Sequence, residues 1–182
     1  LNINRPYAEI ETEFTRECKK NIRKAVNRNC YFTEDVNVHD VITFYQNAYG
    51  AKASYRQKHF DKLVNLAAST EANKRVHIYG VRNQTDHALI FAAMLLDDGN
   101  RLYYLLGAPS ALGRASRATS FFINEIIRRF AQKRLLFDFE GSDIPDVANF
   151  YKGFSPEPEY YFHFYKNRFP KPARAVLDKI LK

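Results

Sequence analysis

The sequence has no tryptophan, one methionine and only two cysteines among its 182 residues. Cys18 and Cys30 lack the spacing of a metal site, and Cys18 falls on an apolar helical stripe that is typical of a small core residue. This sparse use of cysteine predicts a reducing, cytoplasmic location. No apolar run approaches the roughly 20 residues needed to cross a bilayer, so we predict no membrane span.

Several motifs that carry chemistry are also missing. The sequence contains no phosphate loop of the G-x-x-x-x-G-K type, no G-x-S-x-G elbow and no cluster of Cys and His. Its five histidines never occur as H-x-x-x-H or H-x-H. We therefore predict no metal site, and we exclude phosphate-loop nucleotidases and serine hydrolases of the elbow type.

What is present is typical of one globular domain, with 46% apolar and 26% charged residues. The net charge of +8 is concentrated at the ends of the sequence. Residues 1–30 carry seven Lys and Arg against four Asp and Glu, residues 166–182 carry six against one, and the middle is balanced. Two interpretations remain open: the ends meet an anionic partner such as tRNA or a phosphorylated donor, or they are solvated helix faces.

The hydrophobic pattern predicts a mixed α+β (α/β) fold over residues 1–182. Helical spacing predicts helices at 9–29, 38–48, 57–72, 116–133, from Pro145 onward, and 173–182. Alternating or continuous apolar runs predict strands at 75–81, 88–96, 101–106, 135–140 and 160–165. The first three of these strands form an antiparallel meander, since tight turns separate them. The helix before strand 135–140 predicts a parallel crossover, with the other helices flanking the mixed sheet.

Two segments carry the chemical signal. The loop from Gly107 to Ser116 leads from a strand to a helix N-terminus, where free amides, Gly113, Arg114 and Arg117 favour a phosphate group. The second segment reads "LLFDFEGS" from Leu135 and is followed by "FYKGF" from Phe150. It predicts a strand, a turn and a short helix.

This order of elements resembles the GNAT acetyltransferase superfamily. "ANFYKGFSPEPEYY" is similar to the helix motif of that superfamily in which an aromatic pair precedes Gly-Phe. "FDFEG", "FYKGF" and "FTRECKKNIRKA" resemble segments of the Fem-type transferases. Those enzymes are bacterial proteins built from tandem GNAT-like halves, and they add amino acids from aminoacyl-tRNA to peptidoglycan precursors.

The resemblance implies a donor slot between strands 101–106 and 135–140, which diverge. Acetyl-CoA or another acyl-CoA would pair with the backbone near Leu105, Leu106 and Gly107. The pyrophosphate would lie on the loop formed by Leu112, Gly113, Arg114, Ala115 and Ser116. Tyr151 would protonate the departing thiolate, and Glu140 would accept the proton of the attacking amine.

Three functions are compatible with these features. The first is an N-acyltransferase that moves an acyl group from acyl-CoA to an amine acceptor. The second is Fem-like aminoacyl transfer, in which the chain is the C-terminal half of a longer tandem protein and the basic ends bind tRNA. The third is a non-catalytic GNAT-like binding module, in which Tyr151 is core packing, Glu140 caps a turn and aromatic side chains fill the slot.

Overall fold

The computed structural model describes residues 1–50, 56–71, 75–141 and 144–160. This part of the chain forms seven helices and a five-stranded sheet. The helices are α1 (Tyr7–Glu13), α2 (Arg16–Asn27), α3 (Val38–Tyr49), α4 (Gln57–Glu71), α5 (Ala111–Ala115), α6 (Ala118–Phe130) and α7 (Pro145–Lys152). The strands are β1 (Cys30–Thr33), β2 (Val76–Asn83), β3 (Leu89–Asp97), β4 (Arg101–Pro109) and β5 (Leu136–Asp138).

The sheet has the strand order β1-β2-β3-β4-β5. Strands β1 to β4 pair antiparallel, and β5 pairs parallel to β4 after the α6 crossover. The predicted meander and parallel crossover are therefore confirmed. Tight turns join β2 to β3 and β3 to β4, and in the second turn the Asp98 carboxylate accepts from the amides of Asn100 and Arg101.

Strand β3 is covered on both faces, as its continuous apolar run predicts. Phe91, Ala93 and Leu95 belong to the main core, which β3 shares with α2 and α6. Ala92 and Met94 point to the opposite face and belong to a second cluster under α3 and α4. The sheet thus separates two helical layers, and both layers reach the central strands.

Helix boundaries differ from the sequence prediction where the backbone leaves the helical region. The predicted helix 9–29 is two helices, because Phe14 is extended and Thr15 begins α2 by accepting from the Cys18 amide. The predicted helix 116–133 is also divided. Arg117 adopts a left-handed conformation (φ 61°), so α5 ends before it and α6 begins after it.

Strand boundaries differ as well. The sequence analysis missed β1, a four-residue edge strand, because its Cys-Tyr-Phe-Thr sequence has too short a pattern. The strand predicted at 135–140 is shorter than expected, because β5 covers Leu136–Asp138 and both Glu140 and Gly141 have positive φ. The strand predicted at 160–165 and the helix at 173–182 lie outside the described residues, apart from Tyr160.

Candidate functional site

The candidate site begins where β4 and β5 separate. The two strands pair over only three positions, which join Arg101 to Leu136, Leu102 to Phe137 and Tyr103 to Asp138. Strand β4 continues to Pro109 and stays paired with β3 along its other edge. Among the described residues, no strand pairs with the β5-facing edge of β4 beyond Tyr103. The predicted divergence is therefore present, and it leaves an open backbone edge that includes Leu105, Leu106 and Gly107.

A β-bulge interrupts β4 at this open edge. Tyr104 faces Leu95 and Leu106 faces Met94 in the β3–β4 ladder, so Leu105 is the extra residue. The bulge changes the direction of the side chains that follow it. Tyr104 lies in the main core, whereas Leu106 lies in the cluster under α3 and α4.

Aromatic rings line the point of separation. The ring of Tyr151, on α7, lies 4.9 Å from the ring of Phe139, which follows β5, and 6.4 Å from the ring of Tyr104, on β4. Burial raises the pKa of Tyr151 above its ordinary value, and the nearby Tyr49 adds to this effect. Burial also raises the pKa of Tyr104 well above its ordinary value. Both phenols are therefore protonated at neutral pH.

The two carboxylates at the end of β5 differ in their surroundings. Asp138 accepts from the Glu140 amide at 3.1 Å and pairs with Arg101 at 3.2 Å, so Asp138 is the residue that caps this turn. Glu140 is exposed and has φ 55°. Its pKa is raised by partial burial and by the negative charge of Asp138. A carboxylate with a raised pKa is a stronger base, which suits the predicted proton acceptor.

The predicted phosphate loop uses its amides internally. The Gly113 amide donates to the Ser110 side chain at 3.1 Å, and the Arg114 amide donates to the Ser110 carbonyl at 2.9 Å. The Ser116 amide donates to the Leu112 carbonyl at 2.8 Å. Leu112, Arg114 and Ala115 are exposed, whereas Gly113 and Ser116 are buried. Because these amides donate within the loop, the arginine guanidinium groups are better suited than these amides to bind an anion there.

Arg28 adds a third arginine to this loop, which itself carries Arg114 and Arg117. Its guanidinium donates to the Ala115 carbonyl at 3.2 Å from the end of α2. The sequence analysis did not associate Arg28 with the loop, because the two segments lie 87 positions apart. It also missed Tyr104 and Tyr49, which no motif in the sequence distinguishes from ordinary core aromatics.

Gly113 has a packing role that the sequence analysis did not anticipate. A β-carbon at this position would collide with the backbone carbonyl oxygen of Ile90 on β3. The glycine thus allows α5 to sit directly on the sheet. This contact holds the loop against the strand that neighbours β4.

Two clefts open in the surface of the described residues. One, of about 410 Å³, lies between α3 and α4, and the other, of about 220 Å³, lies between α2 and α7. Neither is lined by a residue of β4 or β5. These two clefts therefore lie apart from the candidate site, which consists of a strand edge with aromatic walls.

Comparison with known proteins identifies the fold. No protein-family model and no curated protein matches the sequence. Among solved structures, FemX has a TM-score of 0.67 and 13% sequence identity, over 84% of this chain and 56% of FemX. A conserved protein of unknown function from Bacteroides thetaiotaomicron has a TM-score of 0.59 and 8% identity, over 84% of this chain and 54% of that protein. A spermidine N-acetyltransferase chimera from Vibrio cholerae and hSSAT has a TM-score of 0.48 and 10% identity, over 69% of this chain and 79% of the chimera.

The fold is therefore GNAT-like, with a mixed sheet whose parallel pair, β4 and β5, separates after Tyr103. The chain spans about half the length of each of the two proteins with the higher TM-scores. Among the described residues, no helix is long and apolar enough to cross a membrane.

Proposed function

We propose that this chain is an acyltransferase domain that binds an acyl donor along the open edge of β4 and transfers the acyl group to an amine. The separation of β4 and β5 after Tyr103 is the observation that carries this proposal. A strand edge offers a regular series of amide donors and carbonyl acceptors, which suits a donor arm that contains amide groups. Arg28, Arg114 and Arg117 lie at the far end of β4 and suit the phosphates of such a donor.

An acyl donor bound there supplies an activated carbonyl carbon; the amine forms a C–N bond to it as the bond to the leaving group breaks. Glu140 takes the proton that the nitrogen loses, either directly or through water, and its raised pKa favours this transfer. Tyr151 lies at the gap and donates a hydrogen bond to the leaving group. An ordinary thiol has a pKa of about 8.5, so a phenol with a raised pKa does not transfer its proton fully to a thiolate.

Calorimetric titration with acetyl-CoA tests the proposal, supported by a thermal-shift screen of acyl-CoAs. We expect saturable binding of acetyl-CoA that weakens at least tenfold in Arg114→Gln, because one charge-assisted contact is lost. Lys20→Gln is the matched control, since Lys20 lies on the exposed face of α2 and pairs with Glu17. The absence of binding at millimolar acetyl-CoA would remove acyl-CoA as the donor.

A second candidate keeps the fold and replaces acyl-CoA by aminoacyl-tRNA. The "FDFEG" and "FYKGF" segments and the three arginines near the loop support it. This candidate predicts tRNA binding that weakens steeply as salt rises, because each neutralised phosphate releases counterions. Salt-insensitive binding, or no binding in 50 mM salt, would exclude it.

A third candidate is a binding module without catalysis, favoured by the contacts of the Tyr151 ring with Tyr104 and with Phe139 at the gap. A donor must displace at least one of these rings to enter between the strands. If the rings are permanent packing, neither acetyl-CoA nor tRNA changes the melting temperature. Raised melting temperatures with either donor would exclude this candidate.

A further inference from the structure

The side chain of Tyr104 differs from the other tyrosines of the sheet in how completely it is enclosed. It is 8% exposed, and its ring contacts Phe122 of α6 at 6.2 Å and Tyr151 of α7 at 6.4 Å between centroids. These contacts fix the ring between the sheet and two helices. The direction of its hydroxyl is therefore set by packing and not by a hydrogen bond.

The hydroxyl lies over Gly107, at the open edge of β4. A β-carbon at Gly107 would collide with the hydroxyl oxygen of Tyr104, so the two groups touch. The bulge at Leu105 makes this contact possible, because it brings Tyr104 and Gly107 to the same face of the strand. Gly107 lacks a side chain, and the Tyr104 hydroxyl occupies the space that one would take.

No hydrogen-bond partner of this hydroxyl is found in the described ranges, where His77 Nε2 is the only fully buried side-chain polar atom without a partner. The Tyr104 hydroxyl oxygen is therefore not fully buried, although its ring is. The neighbouring Tyr103, by contrast, donates to Asp98 at 3.1 Å on the surface. The buried ring fixes the direction of the hydroxyl, and the oxygen reaches the surface without a partner among the described residues. Such a donor is available to a ligand that carries a hydrogen-bond acceptor.

We propose that the Tyr104 hydroxyl donates a hydrogen bond to the carbonyl oxygen of the acyl group. This inference rests on the proposed acyl transfer and adds Tyr104 to it as a catalytic residue. As the amine forms its C–N bond, the electron pair of the carbonyl moves onto that oxygen, and a fixed donor stabilises the charge. Because its pKa is raised, the phenol remains a donor throughout the neutral range.

Both candidate donors carry an acyl carbonyl, which belongs to a thioester in acyl-CoA and to an ester in aminoacyl-tRNA. Two pairs of probes distinguish these sources by binding alone. The first pair is acetyl-CoA and S-ethyl-CoA, which has a methylene group in place of the carbonyl. The second pair is 3′-O-alanyladenosine and the corresponding ether that lacks the carbonyl. Dissociation constants are measured by calorimetry for the wild type, Tyr104→Phe and the matched control Tyr103→Phe.

We expect the wild type and Tyr103→Phe to bind the carbonyl member of one pair about fivefold more tightly than its analogue. This ratio of dissociation constants corresponds to one net hydrogen bond. Tyr104→Phe keeps the ring and is expected to lose this preference. The pair that shows the effect identifies the source of the acyl group. Replacing Tyr104 with 3-fluorotyrosine, a stronger donor of nearly the same shape, is expected to increase the preference, and it remains available if Tyr104→Phe fails to fold.

Two other results would overturn the inference in different ways. If the wild type binds at least one pair but shows no preference for the carbonyl member in either pair, Tyr104 does not contact the carbonyl, and the proposed function stands. The same conclusion follows if Tyr104→Phe keeps the preference. If the wild type binds none of the four probes at millimolar concentration, the proposed function fails, and the role of Tyr104 fails with it.

Discussion

Both halves of β4 pair with β3 along one edge, but only the first half pairs with β5 along the other edge. Leu102 and Tyr103 pair with both β3 and β5. Arg101 pairs with Leu136 of β5, and its guanidinium lies 3.2 Å from the Asp138 carboxylate and 2.7 Å from the Glu159 carboxylate. Tyr104 to Pro109 pair with β3 alone and carry the bulge, the glycine and the enclosed phenol. One strand thus combines a structural half and an open half. The paired half is where we expect the larger contribution to stability, and the open half is where we propose that the acyl donor binds.

The largest expected difference between the halves is in core packing. Leu102, in the paired half, is fully buried in the main core, whereas Leu105, at the bulge, is partly buried. We expect Leu102→Ala to lower the free energy of unfolding by about 3 kcal/mol and Leu105→Ala by about 1 kcal/mol. Urea denaturation with comparable m-values measures both. Equal losses would show that the bulge is as tightly packed as the paired half.

The next largest effect concerns alkaline pH. Tyr151 has a raised pKa in the folded state, so it keeps its proton above pH 10 while an unfolded phenol loses it. Stability is therefore complete below about pH 10 and falls as pH rises, by about 1.4 kcal/mol per pH unit for one such tyrosine. Tyr151→Phe is expected to reduce this slope, as measured by urea denaturation at pH 9 to 11. Tyr160→Phe is the control, since Tyr160 is 92% exposed. A slope unchanged in Tyr151→Phe would contradict the burial of that phenol.

A smaller effect is expected from the ion pair of the paired half, whose contribution to the free energy of unfolding depends on salt. Arg101 and Asp138 are about 30% exposed, so their ion pair is partly screened by solvent. A double-mutant cycle with Arg101→Gln and Asp138→Asn is expected to give a coupling of at most about 1 kcal/mol, and less in 1 M salt. A coupling that does not change with salt would mean that the pair is shielded from solvent.

Glu140 is expected to show the smallest effect on stability. Its pKa is raised in the folded state, so folding is favoured when the carboxyl is protonated, and this contribution is lost as pH rises through the folded pKa. Glu140→Gln is therefore expected to be slightly more stable than the wild type at pH 7 and equal to it below about pH 4. Thermal melts across this range measure the difference. A variant that is less stable at pH 7 would show that the carboxylate makes a stabilising contact.

The paired half and its surroundings were predictable from the sequence, because they follow local patterns. Alternating apolar residues predicted β2, and the continuous apolar run predicted β3. Helical spacing predicted the buried face of α6, which consists of Phe122, Ile123, Ile126, Ile127 and Phe130. The divergence after Tyr103 followed from the resemblance to the GNAT superfamily. The roles of Tyr151, Glu140 and the loop residues stay predictions.

The features that the sequence analysis missed depend on register or on long-range contacts. Nothing in "LYYLLGAP" indicates that Leu105 is an extra residue, since the bulge exists only relative to Met94 and Leu95 on β3. The break at Arg117 depends on a left-handed backbone that arginine seldom adopts. The contact of Gly113 in α5 with Ile90 on β3 joins two elements that are separated in sequence by β4, so no local pattern reveals it.

The pairing of β4 with β3 also affects the entropy of binding. Ordering one residue of flexible backbone costs about 1–2 kcal/mol. The residues from Tyr104 to Pro109 are already held by β3, so a ligand that pairs with their free edge orders no further protein backbone. The affinity of the ligand is then reduced mainly by the conformational freedom that the ligand itself loses and by any movement of the Tyr151 ring.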